Sequence, residues 1–238
     1  MTAKTLEVGV LLTGEAVQFT DIAPVDTLTM ITPEYLDVLG PAIEPLRSQA
    51  VAMKVSYIHE GGEGLFPLTG QVKIAVTHSL TTAPPLDILV IPGPPPKDVA
   101  NPAVDEFIQS TVAHGTTILS ICTGVFPLAA AGVLEGRTAT APVGLLPMLR
   151  AAHPNVKWES ARRFEKSAGG DGKSEIWTSG SVANGVDLAI AFMRERFPES
   201  RTLTDLTIGI ASIAEREVEY EEKEKAWEKA FEGASLPV

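Results

Sequence analysis

Cys122 is the single cysteine of the chain, and its setting makes it a candidate nucleophile. In Ile118-Leu119-Ser120-Ile121-Cys122-Thr123-Gly124-Val125 an apolar strand runs directly into the thiol, and a glycine among small residues follows it. Such a segment reads as a sharp strand-to-helix turn, and ligands of doubly wound sheets collect at the carboxyl ends of the strands. A thiol at the start of the next helix would also meet that helix's partial positive charge, which favours thiolate over thiol. The turn alone leaves a second reading open, because free cysteine is among the most buried residue types and often serves as a small hydrophobe. Metal and nucleotide chemistry have no comparable pattern. Cys and His are not clustered, no HExxH occurs and no GxGxxG follows a strand, so neither a metal nor a cofactor is expected.

The elements around the thiol follow from the pattern of apolar runs. Leu6 to Leu12 (LEVGVLL) is continuously apolar, as a parallel strand covered on both faces must be. Similar β candidates recur at Val51 to Ile58, Val72 to Thr77, Leu86 to Pro92 and Thr116 to Ile121, and Ala103 to His114 has helical spacing. Beyond Cys122 the pattern gives a small-residue helix from Gly124 to Gly132, a short strand around Thr138 to Thr140 and a helix through Leu145 to Ala151. Val156 to Glu165 and Ser174 to Thr178 read as a hairpin turning at Ala168-Gly169-Gly170-Asp171-Gly172, followed by a helix from Val182 to Arg196 stopped by Pro198. The expected fold is therefore α/β: a doubly wound, mostly parallel sheet sandwiched by helices.

Composition sets the outer limits. With 238 residues and 45 % hydrophobic content the chain can close one large core, and its 20 glycines and 18 prolines are spread along it as in short loops. We expect an α/β domain over residues 1–200 and a helical, acidic extension over 201–238 packed on it. From Glu215 to Glu232 glutamates outnumber Lys and Arg, which reads as the solvated face of a helix. A net charge of −11, from 19 basic and 30 acidic residues, argues against nucleic acid and anionic membranes as partners. No apolar run approaches the roughly 20 residues of a bilayer crossing. One cysteine allows no intramolecular disulfide, and a cytoplasmic setting is expected.

Beyond these patterns, the chain resembles the ThiJ/PfpI family, relatives of class I glutamine amidotransferases, from about Val8 to Phe197. The matching features are the first strand with the loop Asp21-Ile22-Ala23-Pro24-Val25-Asp26, the strand ending Ile91-Pro92-Gly93, and the elbow Ile121-Cys122-Thr123-Gly124. Ala130-Ala131-Gly132-Val133-Leu134-Glu135-Gly136-Arg137 follows the elbow, and Trp177-Thr178-Ser179-Gly180 precedes Asn184-Gly185-Val186-Asp187-Leu188-Ala189. The resemblance implies a flavodoxin-like fold, a small-molecule substrate and a homodimer, to which Trp227 and Phe231 could contribute.

It also implies roles. Cys122 carries over as nucleophile or redox centre, next to an acid from the loop after the first strand. Many members place that acid at the position of Thr20, so Asp21, one residue later, is assigned the role, while Asp26 is read as structural. A carboxyl held beside a thiolate has its own ionisation disfavoured and can donate a proton. Thr123, Gly93 and Thr20 are expected to line the oxyanion and substrate pocket. Two departures matter. Thr140-Ala141-Pro142-Val143 stands where many relatives carry a Thr-His pair, and His59, His78, His114 and His153 all lie elsewhere, so a protease-like triad is not expected. Pro94 replaces a second glycine whose N–H serves the oxyanion, leaving the amides of Thr123 and Cys122; alternatively the run Pro94-Pro95-Pro96 only stiffens the loop.

The function this implies is hydration or hydrolysis of a compact electrophile, an isonitrile first, an α-oxoaldehyde or an amide-like group next, with Cys122 as nucleophile and Asp21 as acid. The alternative is a non-catalytic protein in which Cys122 senses oxidation, or a pseudoenzyme.

Overall fold

The structure, a computed structural model, describes residues 4–96, 101–168, 174–222 and 224. In chain order its strands are β1 (Leu6–Leu12), β2 (Met53–His59), β3 (Gly64–Pro67), β4 (Lys73–Val76), β5 (Ile88–Ile91), β6 (Thr117–Ser120), β7 (Thr138–Thr140), β8 (Lys157–Glu159), β9 (Phe164–Ala168) and β10 (Glu175–Ser179). The helices are α1 (Ala23–Thr29), α2 (Pro33–Leu39), α3 (Pro102–Ala113), α4 (Val125–Ala130), α5 (Leu146–Ala152), α6 (Asn184–Arg196) and α7 (Arg201–Ile210).

Six strands form the central sheet in the order β2-β1-β5-β6-β10-β9. All neighbours are parallel except β9, which runs antiparallel to β10. The continuous apolar runs have the expected cause. Val8, Val10 and Leu12 of β1, with Val90 and Leu119, face a core shared with Val25 and Leu28 of α1 and Leu188 and Phe192 of α6. Leu11, Leu89, Ile91 and Ile118 face the opposite way, onto Val104 and Ile108 of α3, Leu128 of α4 and Leu149 of α5. Each strand is thus apolar on both sides, and the doubly wound, mostly parallel α/β sandwich expected from sequence is the fold observed. The chain's direction of winding reverses between β1 and β5, so the crevice beyond their carboxyl ends is where this architecture places a ligand.

Three expectations need correction. Val72 to Thr77 does not join the central sheet: β4 pairs antiparallel with β3 as a separate hairpin. Its burial alternates, with Lys73 and Ala75 outward, so it is a strand covered on one face only. Val156 to Glu165 is not one strand. The Glu159 carboxylate accepts the N–H groups of Ser160 and Ala161 and turns the chain there. β8 therefore pairs with β7 in a small parallel sheet, and only β9 forms the hairpin with β10. The expected tip of that hairpin lies outside the described residues from position 169 to 173.

The extension after residue 200 is not continuously helical: α7 ends at Ile210. Ser212 then adopts φ 53°, and the chain continues without helix from Ile213 to Glu221. This strap lies along residues 161–163: Arg163 N–H donates to Val218 O and Tyr220 N–H to Ala161 O, both at 2.8 Å. Trp227 and Phe231 lie outside the described residues. No described helix is long and apolar enough to cross a membrane.

Candidate active site

Three neighbouring strands deliver the site. β1 leads through a short turn, Phe19–Ile22, to Asp21; β5 leads to Gly93; β6 leads to Cys122. Cys122 has φ 56°, in the left-handed region that side chains other than Gly, Asn and Asp seldom occupy. The strain is held by its neighbours. Ile121 N–H donates to Ile91 O at 3.0 Å, Gly124 N–H closes the turn onto Ile121 O at 2.8 Å, and α4 begins at Val125. Gly124 packs directly on the end of β5, where a Cβ would run into the Ile91 carbonyl oxygen. Gly124→Ala should therefore cost about 2–4 kcal/mol by forcing β5 and the elbow apart. A urea melt checks this through a lower midpoint with an unchanged slope.

Asp21 is only 1 % exposed. Its Oδ2 accepts the N–H of Gly93 at 3.0 Å, while Oδ1 is buried without a partner. Burial pushes the carboxyl up to about 7, against the smaller opposing pull of the Gly93 N–H. The Cys122 thiol is pushed up to about 12, first by burial and then by the charge of Asp21. The N–H groups of Thr123 and Val182 face the sulfur and favour its charged form, without overcoming the other two effects. The thiolate expected from the helix terminus is therefore not the resting state: α4 has only 6 residues, and burial beside a carboxylate outweighs it.

The structure sorts the remaining expected residues. Thr20 is exposed and lines a separate cleft of ≈ 430 Å³ with Phe19, Val55 and Tyr57. Asp21, not Thr20, is the side chain whose charge acts on the sulfur. Gly93 belongs to the site, but its N–H is committed to Asp21, and a Cβ there would collide with the Thr123 hydroxyl and lie 2.8 Å from Asp21 Oδ2. Pro94 offers a carbonyl in place of an N–H: Thr123 Oγ1 donates to it at 2.8 Å, which fixes the threonine beside the sulfur. The Cys122 N–H points to Ser179 Oγ, at 3.4 Å, so it is not a free oxyanion donor. Asp26 sits in the first turn of α1 and is exposed.

None of the histidines acts on the thiol. His59 packs on Phe66 with ring centroids 4.8 Å apart, His78 contacts Thr77 Oγ1 at 2.8 Å, His114 caps α3 and His153 caps α5. Among the described residues no group of three or more His, Cys, Asp or Glu is placed to hold a metal ion. The sequence reading missed Val182 and Ser179. Both sit at or just past the end of β10, and the small residues of Ser179-Gly180-Ser181 are the one signal that the chain passes close to the elbow there.

Comparison with known proteins places this arrangement. The DJ-1/PfpI family pattern matches residues 37–195, a span that includes the elbow but begins after Asp21. Isonitrile hydratase of Pseudomonas putida is 31 % identical over 147 residues, and the match covers 58 % of this chain and 58 % of that protein. A ThiJ/PfpI family protein from Pseudomonas syringae superposes with a TM-score of 0.68 at 15 % identity, covering 96 % of this chain and 86 % of that one. Drosophila melanogaster DJ-1beta does so with a TM-score of 0.65 at 17 % identity, covering 89 % of this chain and 100 % of its own. With the family pattern extending over most of the α/β domain and through its cysteine elbow, the chain belongs to the DJ-1/PfpI family.

Proposed function

We propose that the chain is a cysteine-dependent hydratase of compact electrophiles, acting on an isonitrile, with Cys122 as nucleophile and Asp21 as the group that carries its proton. One observation carries the reading. A buried carboxyl near its midpoint at neutral pH, with one oxygen unpartnered, stands beside the only thiol in a site without histidine. The isonitrile hydratase relative supports the choice of substrate.

The two titrations suit a proton shuttle. At neutral pH the sulfur holds its proton and Asp21 is partly ionised, so the carboxylate takes the thiol proton as sulfur attacks the terminal carbon of R–N≡C. That proton then passes from Asp21 to the same carbon, giving the thioimidate R–N=CH–S–Cys122. Water adds to this carbon, its oxygen forming the new C–O bond while one proton reaches nitrogen and the other the Asp21 carboxylate. Collapse breaks the C–S bond, releases R–NH–CHO and returns the proton from Asp21 to the sulfur. The Thr123 and Val182 N–H groups hold the sulfur's charge at both ends of the cycle.

The direct test is formation of an N-substituted formamide from an alkyl isonitrile, with methylglyoxal and a primary amide run in parallel. Formamide should appear, and His153→Ala should retain the activity. No formamide above the background of Cys122→Ala would sink the isonitrile reading.

A further inference from the structure

Beyond the elbow, Pro142, Gly180, Ser181, Asn184, Arg216 and Tyr220 surround a cleft of ≈ 440 Å³. One short stretch of chain links it to the elbow: Ser179 receives the Cys122 N–H, Val182 N–H faces the sulfur, and Gly180 and Ser181 between them line the cleft. The strap supplies the opposite wall. The Tyr220 hydroxyl sits so close to Gly180 that a Cβ there would meet it at 2.5 Å.

The polar groups of this wall form a chain with a fixed direction. Arg216 is held by the Asp187 carboxylate and donates through Nη2 to Asn184 Oδ1 at 2.9 Å. A guanidinium only donates, so that atom of Asn184 must be its oxygen and the amide nitrogen must face Tyr220. Asn184 Nδ2 accordingly donates to the Tyr220 hydroxyl at 2.7 Å. The phenol oxygen is thereby the acceptor, and its own proton is directed elsewhere. Burial pushes the Tyr220 phenol up, which keeps it protonated. The cations of the wall are matched: Arg216 with Asp187, and Arg163, above the Tyr220 ring at 5.2 Å, with Glu224 through two hydrogen bonds of 2.6 and 2.7 Å. Val143 and Leu145 add apolar surface.

We infer that this cleft is the subsite for the non-reacting part of the substrate, a small uncharged group bearing one hydrogen-bond acceptor, which takes the proton of Tyr220. The inference rests on the assignment of Cys122 as the reacting atom. A matched pair of ligands tests it: 2-isocyanoacetamide, with a carbonyl acceptor, and isobutyl isocyanide, of the same shape without one. Their dissociation constants are measured on Cys122→Ala, where no covalent step occurs. The acceptor-bearing ligand should lose its advantage by about 3- to 10-fold, the worth of one neutral hydrogen bond, when Tyr220→Phe is added. Asn184→Asp should have the same effect with the hydroxyl still present, because a carboxylate at 184 accepts from both Arg216 and Tyr220 and turns the phenol proton inward. A merely structural tyrosine would not respond to that change. An unchanged ratio in either variant, or no binding of either ligand to Cys122→Ala, overturns the subsite. Failure of the Cys122-containing chain to produce formamide would instead overturn the reaction and leave this binding result standing.

Discussion

Cys122→Ala should lower formamide production by about four orders of magnitude or more, since it removes the atom that forms the covalent bond and leaves only binding and positioning. The substitution shortens a half-buried side chain at a φ of 56° and takes away the sulfur that the Thr123 and Val182 N–H groups face, but it keeps the backbone hydrogen bond from the Cys122 N–H to Ser179. Its melting temperature should therefore stay within a few degrees of the parent. The measurement is single-turnover and steady-state kinetics beside a thermal melt. A variant that retains a tenth of the parent rate would exclude sulfur as nucleophile.

Asp21→Asn should move three observables at once, and not all in the direction of damage. Turnover should fall by about 10²- to 10⁴-fold, because an amide can neither take the thiol proton nor return it. The alkylation midpoint of Cys122 should shift to lower pH, since the charge that helps hold the thiol up to about 12 is gone. Stability should rise at pH 8. Asp21 is raised from 3.8 to about 7, so the folded chain binds this proton more tightly than the unfolded one. Its contribution is fully present below about pH 4 and is lost as pH rises through 7. The substituted amide keeps an oxygen for the Gly93 N–H and never ionises, so its advantage should be of order 2–4 kcal/mol at pH 8 and vanish near pH 4. Melts at both values check this, and a gain that is equal at the two would remove the buried charge as its cause.

Much of this arrangement is legible in the chain itself. β1, β5 and β6 are visible as unbroken apolar runs because both of their faces are covered, and the same runs announce the parallel sheet. The elbow is legible because Cys122 and Gly124 sit where a strand ends, and the Ile91 carbonyl leaves no room for a Cβ at position 124. The choice between Thr20 and Asp21 is not, since it depends on a single tight turn that directs one side chain inward and leaves its neighbour exposed. Nor is the protonation of the thiol, because helix position and burial oppose each other and only the packing decides. The strap is the least legible part. Arg216, Tyr220 and Glu224 read by composition as part of a solvated charged helix, yet their partners are Asp187, Asn184 and Arg163, which no local pattern brings near them.

That strap separates two things a gene could change. Cys122, Asp21 and the glycines that seat them lie within residues 21–124, whereas the cleft's far wall is written in a short stretch after α7. Substitutions among Arg216, Tyr220 and Glu224 leave the elbow untouched, so a lineage can explore new preferences without passing through chemically dead ancestors. Divergence among descendants of this chain should accordingly accumulate in the strap while the elbow stays fixed.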